Sequence, residues 1–296
     1  MRCLILGATG QIGSHLLAAC EERGLARLGT WYTRFHSQYV PLDIRDGDAV
    51  RELIADYQPD VTFHAVGLTC SGFAEAYPEL CRQITIDGTR HVTEAVARQG
   101  GKLVFVSSDE VFGECLTAQR EDSVTAPSNE MARCYATAED IIRDALPEQH
   151  LIVRTSWVFG CDDRARNLGF EMLRKFRKTA PFVADTERHG HPTYAPDLAD
   201  VILELTRSEQ TGTVHAIGPD RHNEFTFARL AAHIFGRDAH QIRHSTDDDH
   251  PRPLNVWLDR YKLRSLLGPH AIRSAADGLR GFRDALKPTL ATVRAA

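Results

Sequence analysis

Three glycines at three-residue intervals, Gly7, Gly10 and Gly13 in LILGATGQIGSHLL, stand where a short apolar run gives way to an amphipathic one. This is the spacing a backbone needs to wrap a pyrophosphate. The first glycine permits a tight turn, the second lets the chain approach the phosphates, and the third lets a helix pack closely on the strand. The helix behind such a turn faces the anion with free N–H groups and its positive dipole end. Thr9, Gln11 and Ile12 lie in the same turn and join the candidate cofactor contacts. A lone glycine triplet is weak evidence; the strand before it and the helix after it supply the context the chemistry requires.

About 20 residues further on, dinucleotide sites that hold a free ribose hydroxyl carry an acidic residue. Here the stretch reads GTWYTRFHS, with no carboxylate and with Arg34, which suits a 2′-phosphate. NADP is therefore the expected cofactor, with NAD as the alternative. In PLDIRD, Asp43 and Ile44 are placed to meet an adenine edge as acceptor and apolar floor, and a helix N-cap region is an equal alternative for Asp43. In TFHAVG, His64, with Ala65 and Val66 behind it, is a candidate neighbour of the adenosine or its phosphates. A satisfied core histidine explains His64 equally well.

Positioning such a turn takes a sheet. Short apolar runs at 2–6, 28–32, 61–66, 102–107 and 151–156 alternate with longer amphipathic ones at 12–23, 46–57, 74–98 and 129–146. That alternation predicts an α/β fold, a doubly wound parallel sheet covered by helices on both faces. After Gly160 the pattern loosens into helices near 168–178 and before Arg207, a strand near 213–217 and an acidic, Pro-rich stretch, HSTDDDHPRP. The expected division is a dinucleotide-binding domain over 1–160 with a return segment near 193–217, and a smaller substrate domain over 161–192 and 218–296.

The 296 residues are 43% hydrophobic and 25% charged, with a net charge of −5 and scattered basic residues. No electrostatic footprint for nucleic acid stands out. No apolar run approaches the roughly 20 residues of a membrane span, and the N-terminus enters a strand pattern without a signal peptide's features, so a cytoplasmic protein is expected. Seven cysteines without a C-x-x-C spacing favour neither disulfides nor zinc. His189 and His191, in TERHGHPTY, are not read as a metal site.

Taken together, GATGQIG, PLDIRD, VSSDEVFG, LIVRTSWVFG, HPTYAPDLAD and RPLNVWLD resemble the extended short-chain dehydrogenase/reductases. Within them the likeness is to the dTDP-4-dehydrorhamnose reductases and the related regulatory beta subunit of methionine adenosyltransferase. The resemblance implies a Ser or Thr, a Tyr and a Lys four residues later, with a supporting Asn. The tyrosine protonates the substrate oxygen, the lysine lowers its pKa, and the hydroxyl orients the substrate. Ser108 matches the hydroxyl position. Against the helix motif P-x-N-x-Y-G-x-T-K-x-x-G-E, Pro127, Asn129 and Glu139 keep register, so Met131 falls on the tyrosine and Tyr135 on the lysine. Thr85 falls where the Asn usually stands.

Tyr135 as a relocated acid meets two objections. Its position four residues on is Glu139, whose charge would raise a phenol's pKa, and it lies ~6 Å further along the helix face than Met131. Tyr135 against the nicotinamide ribose, with Glu110 or Asp109 as the acid, is one reading. The other is that Met131 and Tyr135 fill the vacated pocket. By the same resemblance, Trp157 lies near nicotinamide and sugar, Ser107, Asp109 and Glu110 line the substrate side, and Arg252 approaches a diphosphate.

The sequence thus points to an NADP-dependent reductase acting on a keto group of a nucleotide-linked sugar. Its rival is a cofactor-binding regulatory or sensor protein without turnover, and epimerisation is a third reading. Beyond a nucleotide-sugar-like ligand, a homodimer or a regulatory partner protein is the expected company.

Overall fold

The computed structural model describes residues 1–177, 181–245 and 255–294. Its centre is a parallel sheet of seven strands: β1 (Arg2–Leu6), β2 (Ala26–Trp31), β3 (Val40–Pro41), β4 (Val61–His64), β5 (Lys102–Ser108), β6 (His150–Thr155) and a late strand, Gly212–His215. From one edge to the other the order is late strand, β6, β5, β4, β1, β2, β3. The order reverses between β1 and β4, which opens a crevice at the carboxyl ends of the strands.

Burial follows the period of two. Along β1, Cys3 and Ile5 enter one core while Leu4 and Leu6 enter the other. All four residues of β4 and all six of β6 are buried, as strands covered on both faces must be. One face carries α1 (Gln11–Glu22), which packs on a later helix, Ala195–Arg207. The other carries α2 (Gly47–Tyr57) and the helices between β4 and β6.

The amphipathic run at 74–98 is expected as one helix, and the structure divides it. Here α3 (Ser71–Ala76) stops, α4 (Pro78–Arg82) restarts on Pro78, a π-helical turn spans Gln83–Asp87, and α5 (Gly88–Gln99) follows. Proline has no N–H to continue a helix and suits the first position of a new one. The helix expected at 129–146 is α6 (Glu130–Ala145). Asn129 caps it, its side chain accepting the Ala132 N–H at 2.8 Å.

Beyond β6 come β7 (Val158–Phe159), α7 (Leu168–Phe176), β8 (Phe182–Asp185), β9 (His189–Gly190), β10 (Thr193–Tyr194) and α8 (Ala195–Arg207). The late sheet strand is β11 (Gly212–His215), followed by β12 (His222–Asn223), α9 (Glu224–Ile234), β13 (Ile242–Ser245), α10 (Tyr261–Leu267) and α11 (Ala275–Arg294). A third apolar cluster built on Phe159, Met172, Phe227, Leu279 and Phe282 joins α7, α9 and α11. Short pairs, β7 with β10, β8 with β13 and β9 with β12, stitch this part together. The expected acidic loop at 247–250 and Arg252 lie outside the described residues.

Candidate active site

The glycine turn links β1 to α1 at the crevice. Gly7 has φ +78°, and a Cβ on Gly13 would lie 2.2 Å from the Gly7 carbonyl oxygen, so only glycine permits this packing. Gly10 caps α1 without a side chain, and the first turn carries no acidic residue. The helix's first turn therefore sets no carboxylate of its own against an anion at its positive end. Thr9, Gly10, Gln11 and Ile12 are half-buried along this turn, and the Gln11 amide nitrogen is buried without a hydrogen-bond partner. An orphaned donor beside a helix N-terminus fits a dinucleotide phosphate.

The adenosine end differs from expectation. Asp43 is neither the cap of α2, which is Asp46, nor a free acceptor: Arg45 grips both its oxygens, at 2.6 to 3.0 Å. Those hydrogen bonds hold the Asp43 carboxyl below its ordinary range. The same guanidinium also donates to the Tyr32 hydroxyl oxygen at 2.6 Å. Arg34 reaches Asp163 across the cleft at 3.6 Å, both side chains exposed. Ile44 is buried in the core.

His64 is a core histidine, the second of its two expected readings. It is fully buried, with Nε2 3.0 Å from the Thr89 hydroxyl and Nδ1 accepting the Val66 N–H at 3.4 Å. Burial lowers its pKa to about 4, so it is neutral. Ala65 and Val66 behind it remain half-buried; a Cβ on Gly7 would meet both at 3.0 Å, which places them against the phosphate turn.

On α6 the substituted positions face inward. Met131 is 3% exposed and belongs to the core under β5. Tyr135 is buried too, and its hydroxyl donates to the Leu68 carbonyl at 3.3 Å, in the segment leaving β4. Burial pushes the phenol pKa up, followed by Cys81 and Glu110; Glu139 is not among the causes. A buried phenol aimed at a backbone carbonyl is a weaker acid than a free one, which counts against Tyr135 as a relocated acid. Thr85 lies fully buried in the π-helical turn.

Glu139 instead closes a buried ion pair. Arg154 of β6, 1% exposed, donates to both its oxygens at 2.6 to 3.2 Å, and Arg143 donates to Oε2 at 2.5 Å. Ser107 donates to Oε1 at 2.6 Å, so its hydroxyl is committed beneath the sheet edge and is not a substrate contact as expected. The face of the Phe112 ring covers the guanidinium at 4.7 Å.

Ser108 ends β5 half-buried in the crevice and accepts the Glu110 N–H at 3.2 Å, opening a 3-10 turn over Asp109–Phe112. Asp109 is 6% exposed, with Ser108 Oγ 3.3 Å from Oδ1 and Ser156 donating to Oδ2 at 2.5 Å. Burial first, then the Glu110 charge, raises its pKa to about 7. Glu110 accepts from the Asn129 amide at 2.8 Å, which ties the start of α6 to this turn. Ser156, which no sequence signal marks, also accepts the His191 N–H at 3.1 Å.

Trp157 follows at φ +42°, its ring edge against Gly190 and the Arg188 guanidinium 5.6 Å above it. A side chain held in the left-handed region at the mouth of a cleft stores strain of order 1–3 kcal/mol, found where neighbours over-determine a functional position. Among the described residues no group of three His, Cys, Asp or Glu side chains forms a metal cage, and no helix is long and apolar enough to cross a membrane.

Comparison with known proteins shows the family and the fold. The chain is 30% identical over 258 residues to a dTDP-4-dehydrorhamnose reductase of Streptomyces griseus, covering 85% of this chain and 82% of that one. It is 27% identical over 305 residues to the methionine adenosyltransferase 2 subunit beta of Xenopus tropicalis, covering 99% and 89%. A dTDP-4-dehydrorhamnose reductase of Bacillus anthracis, solved in complex with NADP, superposes with a TM-score of 0.86 at 24% identity over 96% of this chain and 99% of that one. Residues 1–294 match the profile of the RmlD substrate binding domain, and the chain belongs to that family, among the extended short-chain dehydrogenase/reductases.

Proposed function

We propose that this protein binds NADP and reduces a keto group on a dTDP-linked deoxysugar. The observation that carries the reading is the glycine turn at the α1 N-terminus, on the same carboxyl edge of the parallel sheet as Ser108 at the end of β5. Gly7, Gly10, Gly13 and the α1 N-terminus would hold the pyrophosphate, and Arg34 would meet the 2′-phosphate. A reduced nicotinamide bound there supplies hydride. Ser108 orients the sugar oxygen, and Trp157 with Arg188 flanks the sugar. Residues 1–160 with the return near 193–217 serve as the cofactor body, and 161–192 with 218–296 as the substrate lobe. The setting we propose is the cytoplasm, where seven unpaired cysteines stay reduced.

The test is a titration with NADPH and NADH followed by addition of a dTDP-linked keto sugar, read as loss of nicotinamide absorbance. NADPH binding with turnover supports the reading. Met131 buried at the tyrosine position favours a second one, a cofactor-sensing regulatory subunit, and binding without turnover selects it. Failure to bind either nucleotide sinks both.

A further inference from the structure

The reductase reading leaves no tyrosine to protonate the sugar oxygen. We propose that Asp109 supplies that proton, passing it from Oδ1 through the Ser108 hydroxyl to the oxygen of the bound keto sugar; the assignment rests on the reductase reading.

Hydrogen-bond capacity places the proton. Ser156 Oγ accepts the His191 N–H at 3.1 Å and has one proton of its own, which it donates to Asp109 Oδ2 at 2.5 Å. Oδ2 is therefore an acceptor; toward the ionised carboxylate Ser108 Oγ donates to Oδ1 at 3.3 Å, and in the neutral carboxyl that bond reverses, with the proton on Oδ1. Ser108 already accepts the Glu110 N–H. Accepting the Asp109 O–H uses its second lone pair and leaves its own proton for the crevice.

The surroundings keep the carboxyl neutral. Glu110 beside it repels a second charge, and the Cys115 thiol across the turn is itself pushed up by burial, then by the carboxylates of Asp109 and Glu114. Ser156, from the segment after β6, brings a hydroxyl and no cation. Burial first, then the Glu110 charge, outweigh the hydrogen bonds from Ser156 and Ser108, which act the other way, and raise the Asp109 pKa to about 7, which suits a donor at neutral pH.

The step balances. As hydride reaches the keto carbon, the Ser108 O–H bond breaks toward the sugar oxygen and the Asp109 O–H bond breaks toward Ser108. The products are an alcohol and the Asp109 carboxylate, which takes a proton from solvent before the next turnover.

Two readouts test this on the full chain. Infrared difference spectra of the protein without nucleotide, across neutral pH, should show a protonated carboxyl that titrates near 7 and vanishes in Asp109→Asn. Single-turnover oxidation of NADPH by the dTDP-linked keto sugar should slow by about 10²- to 10⁴-fold in Asp109→Asn with NADPH affinity unchanged. The wild-type rate should fall as pH rises through that pKa, and the residual rate of the variant should not. Ser108→Ala should keep the carboxyl titration and lose the rate. A carboxyl band untouched by Asp109→Asn, or a variant with the wild-type rate, overturns the donor assignment and leaves the reductase reading standing. A wild type that titrates near 7 and never oxidises NADPH with the sugar overturns both.

Discussion

Asp109 and Glu139 are two buried carboxylates at the carboxyl end of the central strands, and their neighbours give them opposite characters. Glu139 is fully enclosed yet meets Arg154, Arg143 and the Ser107 hydroxyl, which fill both its oxygens. Asp109 is nearly as enclosed and meets two serines and another carboxylate, and no cation among the described residues hydrogen-bonds to it. Burial alone penalises charge on both; the partner decides whether the charge persists. One corner is a structural bolt, and the other holds a proton that can move.

Breaking the bolt should have the largest effect. Arg154→Met leaves Glu139 buried without its main partner and should lower stability by about 3–5 kcal/mol, measured as a shift in the urea midpoint. Replacing both partners, Arg154→Met with Glu139→Leu, should recover most of that loss. If the double variant is as unstable as the single one, the ion pair is not what ties α6 to β6.

The other corner sharpens the contrast through pH. The folded chain keeps the Asp109 proton up to about pH 7, whereas the unfolded carboxyl releases it near the ordinary value of 3.8. The unfolded state then binds fewer protons, so this group's contribution falls as pH rises through that window, by on the order of 4 kcal/mol. Buried His64 and His191, with pKa lowered to about 4, and His215, lowered to about 3, act in the opposite direction. The difference in stability between wild type and Asp109→Asn across the window isolates the carboxyl, and equal slopes for the two proteins would contradict its raised pKa.

Ser156→Ala should cost about 1–3 kcal/mol, because it leaves Asp109 Oδ2 and the His191 N–H without their shared partner. The smallest effect belongs to Tyr135→Phe. Loss of one hydrogen bond to the Leu68 carbonyl should cost about 0.5–1.5 kcal/mol in thermal or denaturant unfolding. A markedly larger loss would place Tyr135 in a network like that of Glu139.

The same contrast marks what was legible in the chain. The phosphate turn could be read before folding because its requirement is local: Gly7, Gly10 and Gly13 lie within one strand–turn–helix unit, and backbone sterics decide which residues fit. The alternation of apolar runs likewise announced the parallel sheet, and Asn129 announced the start of α6. What the motifs do not record is that His64, Asp43 and Ser107 take Thr89, Arg45 and Glu139 as partners, encounters set by the folded chain.

Sequence by itself therefore determined the fold class and the glycine turn, since each depends on residue type at a fixed spacing. Tertiary structure decided which acid is ion-paired and which keeps a proton. Arg154 comes to Glu139 from a neighbouring strand and Ser156 comes to Asp109 from the segment beyond it, and no local pattern encodes an encounter between residues 15 and 47 positions apart.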